Sequence, residues 1–373
     1  MRRALERIEI PEEHEARERA WALVQAAYAG RDRSPRAFSW RPLALAAAAL
    51  AVVAAVASPP GRGLVGSVRE VVGVEQPDRS LFRLPTSGRL LVNSSVGPWV
   101  VDPDGSKRLL GNYRDATWSP FGRYVAAVRG DELVTVTPAG RLRWALPRPD
   151  RIRSPRWGGD REDTRIAYLS GAALRVVAGD GTGDRRLARS VAPVAAAWRP
   201  GPGHVLAYAA PGGRIVVRDA DTGRVLWRSR ERGRVASLEW SSDARRLFVL
   251  RAAGAELYTA DGALFSGVRV PNGRVTALAF RPGSHAHAYS YVRSGRFQAA
   301  LVDEPSRPLL AGRGSVDRAV WSPNGQWTLL SWPDARQWVF VRATGRPEVV
   351  AVSDVAAQFR STTFPEVAGW CCS

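Results

Sequence analysis

The residues of this 373-residue chain whose types could do chemistry are four histidines, several paired aspartates and two adjacent cysteines. His285 and His287 are two apart, so a strand would present both imidazoles on one face, which is half of a transition-metal site. No cysteine, carboxylate or further histidine follows at a spacing that completes it; His14 and His204 stand alone. The pair therefore reads as loop histidines without a metal. Asp102/Asp104, Asp180/Asp184 and Asp219/Asp221 suggest calcium, yet no glutamate closes a twelve-residue loop. Their recurrence at one point of a repeating unit favours turn capping by the carboxylates. Cys371 and Cys372 lie at the C-terminus without zinc-ligand spacing and cannot build a disulfide framework. A bond between neighbours is geometrically demanding and would close no loop worth stabilising; pairing with another chain and a reduced tail are the other readings. Neither a nucleophile elbow nor a phosphate loop is present. The expectation is a non-enzymatic chain with no catalytic residues, no cofactor and no metal.

Charge points to partners instead. Lysine plus arginine total 54 against 35 acids, a net charge of +19, and Lys107 is the single lysine. Such an excess suits an anionic partner such as an acidic protein or envelope polymer. Arginine-favouring codon usage accounts for it equally well. The arginines are spread out, not gathered in a run, which argues against nucleic acid.

The elements that must position any site fall into two parts. Residues 1–40 read as a cytoplasmic helix and basic linker. Pro11 suits a first helical position, Glu12, Glu13 and Glu15 favour the positive end of the dipole, and Gly30 can close the helix. Ala16, Ala20, Leu23, Val24 and Ala27 share one face, a possible docking surface for a cytoplasmic protein over residues 11–30. Residues 41–58 hold the uncharged run Leu43 to Ala57, which is short for a bilayer but flanked by Trp40, Arg41 and Arg62 as interfacial anchors. It reads as one transmembrane helix, with the N-terminus inside because Arg31, Arg33, Arg36 and Arg41 precede it. Residues 59–80 are a connector.

From residue 81 the chain repeats. Trp118-Ser119-Pro120-Phe121-Gly122-Arg123 returns at Trp321-Ser322-Pro323-Asn324-Gly325-Gln326. Looser copies begin at Trp157, Trp198, Trp240 and Phe280, so the intervals from Trp118 are 39, 41, 42, 40 and 41 residues. Leu84 to Arg89 aligns on its Gly-Arg pair and makes a seventh unit anchored at Leu84. Each unit shows a short strand ending at the anchor, a Ser-Pro-x-Gly-type turn, two more apolar strands, an Asp-Gly or Thr-Gly turn and a last strand. Four strands in about 40 residues make one propeller blade. The fold class is thus all-β, a seven-bladed propeller over residues 81–373. Either the apolar tail 351–373 or Val68 to Val74 is expected to supply the closing strand.

Trp-Ser-Pro-x-Gly-Arg before an apolar strand, with Asp-Gly before the outer strand, resembles the WD-repeat-like units of TolB-type β-propellers over roughly Leu81 to Val350. The resemblance implies a binding platform and carries no activity with it. With the apolar segment, it implies a membrane-anchored propeller outside the cytoplasmic membrane that binds a protein or anionic ligand through its blade loops. The alternative is a transmembrane regulator, similar to anti-sigma factors, whose propeller senses while residues 11–30 hold a cytoplasmic partner.

Overall fold

The computed structural model describes residues 83–252, 254–302 and 307–372. The helix expected at residues 11–30, its face from Ala16 to Ala27, the membrane segment 41–58 and the connector to residue 80 lie outside them, as does Val68 to Val74. Among the described residues no helix is long and apolar enough to cross a membrane.

The strands form seven antiparallel sheets of four. Blade 1 holds β1 (Arg89–Ser94), β2 (Gly97–Val101) and β3 (Lys107–Leu109). Blade 2 is β4 (Arg114–Trp118), β5 (Val125–Arg129), β6 (Glu132–Val136) and β7 (Leu142–Pro147). Blade 3 is β8 (Ile152–Gly159), β9 (Thr164–Ser170), β10 (Ala173–Ala178) and β11 (Arg185–Ala188). Blade 4 is β12 (Ala197–Trp198), β13 (Val205–Ala209), β14 (Ile215–Asp219) and β15 (Val225–Arg228). Blade 5 is β16 (Val235–Trp240), β17 (Arg246–Arg251), β18 (Gly254–Thr259) and β19 (Leu264–Val268). Blade 6 is β20 (Gly273–Phe280), β21 (His287–Arg293), β22 (Arg296–Val302) and β23 (Arg307–Arg313). Blade 7 is β24 (Arg318–Trp321), β25 (Trp327–Trp332), β26 (Gln337–Arg342) and β27 (Val349–Val352). A short helix, α1 (Val355–Gln358), precedes β28 (Glu366–Cys371), which pairs with β1 and completes blade 1 from the inside.

The expected closure by the tail is therefore seen, and it corrects the anchor of the first unit. Leu84 is buried, at 4 % exposed, but lies in coil before β1. The inner strand of blade 1 ends on Trp370, paired with Leu90 as Trp240 pairs with Leu247. The repeat was cut by the termini, so its first aromatic sits at the far end of the chain. Cys371 and Cys372, at the end of that strand, are joined to each other.

Burial follows the architecture. The middle strands are apolar on both faces, as in β5 (VAAVR) and β13 (VLAYA), because each blade is covered by a neighbour on either side. Seven separate core clusters result, one at each junction between blades. The anchors Trp118, Trp240, Phe280 and Trp321 are buried in them, while Trp157 and Trp198 are half-buried. Trp321 Nε1 donates to the Ala279 carbonyl at 2.9 Å and Trp198 Nε1 to that of Arg156 at 2.9 Å, each tying one blade to the one before. Trp198 lies flat on Gly158, where a β-carbon would come within 2.2 Å of its ring.

The turn after the anchor is one hydrogen-bonded device. Ser119 Oγ accepts from the Tyr124 N–H at 3.0 Å, Ser322 Oγ from Trp327 at 3.0 Å and Ser241 Oγ from Arg246 at 2.9 Å. Gly122 and Gly325 take the left-handed position, with φ of 64° and 65°. The Trp240 copy, which lacks Ser-Pro-x-Gly, builds the same turn with Ala244 at φ 60°. Replacing Ala244 with glycine relieves the Cβ strain there and is expected to raise stability by about 1 kcal/mol. Urea unfolding of Ala244→Gly checks this; a loss of stability would show that the alanine is not strained.

Candidate functional site

Two regions of a propeller can present chemistry: the central channel lined by the inner strands, and the loops at either face. The inner strands carry mainly Ala, Val, Ser and Thr, with scattered acids and bases. Arg114 and Arg153 prove to be one repeated feature. Each donates through Nη2 to the glycine carbonyl of its own blade's next hairpin, Gly130 at 2.7 Å and Gly171 at 3.1 Å. Beside them the ladders slip, between Arg114/Thr117 and Arg153/Arg156, and Asp115 and Ser154 adopt φ of 53° and 52°. Such bulges re-aim side chains. Asp115 thereby reaches blade 3, where its carboxylate accepts the Ser154 N–H at 3.2 Å.

Arg156 was not singled out in the sequence, although it occupies the position directly before an anchor, as Glu239 does. Elsewhere that position holds Thr117, Ala197, Ala279, Val320 or Gly369, so the two charges stand out once the units are aligned. Both side chains keep a solvent-accessible edge along the channel, yet protein surrounds them. Burial pushes the Glu239 carboxyl up to about 7, against the opposing pull of the Phe280 N–H, Arg318 and Arg156. Burial likewise lowers Arg156 to about 10, with Arg318 adding to the shift and Asp115 and Glu239 opposing it. Arg318 is lowered by burial too and pairs with Glu366 of the closing strand. Glu239 Oε1 accepts the Phe280 N–H at 3.0 Å, joining blades 5 and 6. Asp115, Glu239 and Arg318 thus reach a neighbouring blade, while the Arg114, Arg153 and Arg156 side chains bond within their own.

The remaining candidates are placed as follows. His285 Nδ1 lies 3.0 Å from Asp243 Oδ2, while His287 turns its Nδ1 to the His285 carbonyl at 3.3 Å and is lowered by burial. His204 pairs with Asp221, next to Asp163 of blade 3. Among the described residues no group of three His, Cys, Asp or Glu side chains is arranged to hold a metal ion. Asp104, Asp180 and Asp219 accept backbone N–H groups two residues ahead at 2.9 Å; hydrogen bonds hold their carboxyls below the usual range, chiefly from the Ser106 N–H, the Thr182 hydroxyl and the Thr222 N–H respectively. Asp184 differs from that group: it is a sheltered hub for Arg148, Arg175 and the Tyr168 hydroxyl.

The loop faces are unlike. The hairpins on the anchor-turn side carry the aspartate caps. On the other side, the β15–β16 connection exposes Arg230, Arg232 and Arg234, and nearby loops and strand ends expose Arg269, Arg293 and Arg313. None of these six side chains has an ion pair or hydrogen bond among the described residues.

The stability contributed by neutral Glu239 is fully present below its unfolded value of 4.5 and is lost as pH rises through about 7. Glu239→Gln should therefore flatten the melting temperature against pH across that window. An unchanged slope would contradict the buried-carboxyl account.

No protein-family model matches the chain, and no curated protein sequence is similar to it. Solved structures share its fold. One is KlHsv2 with loop 6CD replaced by a Gly-Ser linker, at 11 % identity and a TM-score of 0.54, covering 73 % of this chain and 96 % of that one. Another is the Dos1 propeller, at 8 % identity and a TM-score of 0.50, covering 65 % and 73 %. At these identities the likeness is one of fold: this chain contains a seven-bladed β-propeller.

Proposed function

We propose that this chain is a membrane-anchored, non-enzymatic propeller of the TolB-type, WD-repeat-like kind, which docks an acidic protein or anionic envelope polymer outside the cytoplasmic membrane. The observation that carries the docking is the set of exposed, uncompensated arginines on one loop face, Arg230, Arg232 and Arg234 foremost. Arginines elsewhere in the fold commonly meet a carboxylate, as Arg148 and Arg175 meet Asp184 and Arg251 meets Glu256. Leaving several together without one favours encounter with an opposite charge and makes that encounter sensitive to salt. The tethering rests on the apolar run at residues 43–57 and the arginines before it, and it puts the propeller outside.

Poly-L-glutamate is a suitable probe for the full chain in detergent. Reversing Arg230, Arg232 and Arg234 to glutamate is expected to weaken binding about tenfold or more at low salt. Reversing Arg123, Arg141 and Arg224 on the other face should leave it nearly unchanged. Equal losses from both sets would mean net charge alone is felt and would overturn the docking face. A reporter active only in the cytoplasm, fused after Ser373, should be silent; activity there would overturn the topology.

A further inference from the structure

The same loop face holds a cavity of about 520 Å³ between the end of β19 and blade 6. It lies at the junction with the thinnest core, six buried side chains against fourteen where blade 7 meets blade 1. Its size falls within the usual range for small-molecule sites. Val268, Val270 and Pro271 make an apolar wall, and Tyr289 and Tyr291 stack beside it with ring centroids 6.0 Å apart and 19° between planes. Arg269, Arg293 and Arg296 supply charge, and among the described residues no carboxylate lines the cavity.

Strand register explains why that charge stands uncompensated. Arg293 is directly opposite Arg296 across β21 and β22, and Arg296 is directly opposite Arg313 across β22 and β23. Like charges facing each other across a ladder destabilise it unless an anion intervenes. Arg296 carries the sharper signature. Its Nε and Nη2 are closed off from solvent without an acceptor among the described residues. Other arginines with a shielded, unpartnered nitrogen use a second one: Arg114 on Gly130, Arg153 on Gly171, Arg218 on Leu187, Arg251 on Glu256 and Arg342 on Glu348. Among the described residues no nitrogen of the Arg296 side chain is bonded. Nε and Nη2 are also the two nitrogens that Arg175 presents to the Asp184 carboxylate, the side-on fork that matches an anion with two oxygens. A sheltered donor edge with no acceptor is a standing cost, and because the two nitrogens have no open surface as they stand, the side chain must turn toward the cavity for such an anion to remove it.

We infer that this cavity is a binding site for a small organic anion, a carboxylate or phosphate monoester on an aromatic body, with the charge held by the Arg296 fork and the body against Tyr289, Tyr291 and the Val268–Pro271 wall. Arg293 and Arg269 add charge at the rim. The site shares Arg269 and Arg293 with the face proposed for an acidic macromolecule, but its test does not depend on that docking. Burial raises the Tyr289 hydroxyl above its usual value, so it stays a donor at neutral pH.

Isothermal titration calorimetry of the full chain in detergent tests this with phenyl phosphate, benzoate and the uncharged benzamide. At least one of the two anions is expected to bind saturably at millimolar concentration or below, and benzamide at least about tenfold more weakly. The stronger of the two anions identifies the head group. Arg296→Met should weaken that anion about tenfold or more, and Arg296→Lys, which keeps the charge but loses the fork, should fall between. Arg123→Met, on the opposite face, should bind as the unmodified chain does. Should Arg296→Met fail to fold, as judged by its melting curve, Arg296→Lys and Tyr289→Ala carry the test. Absence of saturable binding by both anions, equal binding of benzamide, or affinities unchanged in the Arg296 and Tyr289 variants would overturn the site.

Discussion

Everything in this molecule depends on the pairing of β28 with β1, the contact by which the two ends of the propeller meet. A row of blades has two open ends, each exposing an apolar blade face and a strand edge. The chain removes both at once by placing Glu366–Cys371 inside the first blade. Trp370 then fills the anchor position of a unit begun almost 280 residues earlier, and its ring packs edge-on to Phe340 of the last blade at 5.5 Å. Around that closure lies a junction core of fourteen buried residues, equal in number to that between blades 6 and 7, with Trp99, Trp338 and Phe359 drawn together from blade 1, blade 7 and the segment between them.

A closed ring of near-identical units frees individual positions to differ. The anchors, the serine-capped turns and the aspartate-capped hairpins are shared equipment, and they hold the blades at constant spacing. Arg156, Glu239 and Arg318 break the pattern inside the channel, where Glu239 and Arg318 link blades at a distance from the hydrophobic junctions. The arginines of the opposite loop face break it outwardly and are left unbalanced. The first departure serves cohesion; the second is where recognition has room to act.

The blade repeat was legible in the sequence because each unit must bury one aromatic and turn sharply after it. That requirement fixes residue type at a fixed interval. Where chemistry allows substitution the signal blurs: Ala244 accepts a left-handed turn that glycine makes elsewhere, and the motif disappears while the turn remains. Leu84 was read as the first anchor because continuity of sequence hid Trp370. Asp184 looked like one more turn aspartate, since nothing local reveals that Arg148 and Arg175 converge on it. The cavity was invisible for the same reason. Its arginines are 24 to 27 residues apart along part of the chain, from Arg269 to Arg293 and Arg296, and only the folding of the β19–β20 connection against blade 6 brings them to one cavity.

The central claim is that one loop face of a rigid propeller, at blades 5 and 6, meets anionic partners. Hydrogen–deuterium exchange of the full chain, with and without poly-L-glutamate, reads this residue by residue without altering the protein. The account predicts protection confined to residues 229–234, 268–271 and 291–298, with the anchor turns on the other face unaffected. Protection spread over both faces, or centred on those anchor turns, would contradict it.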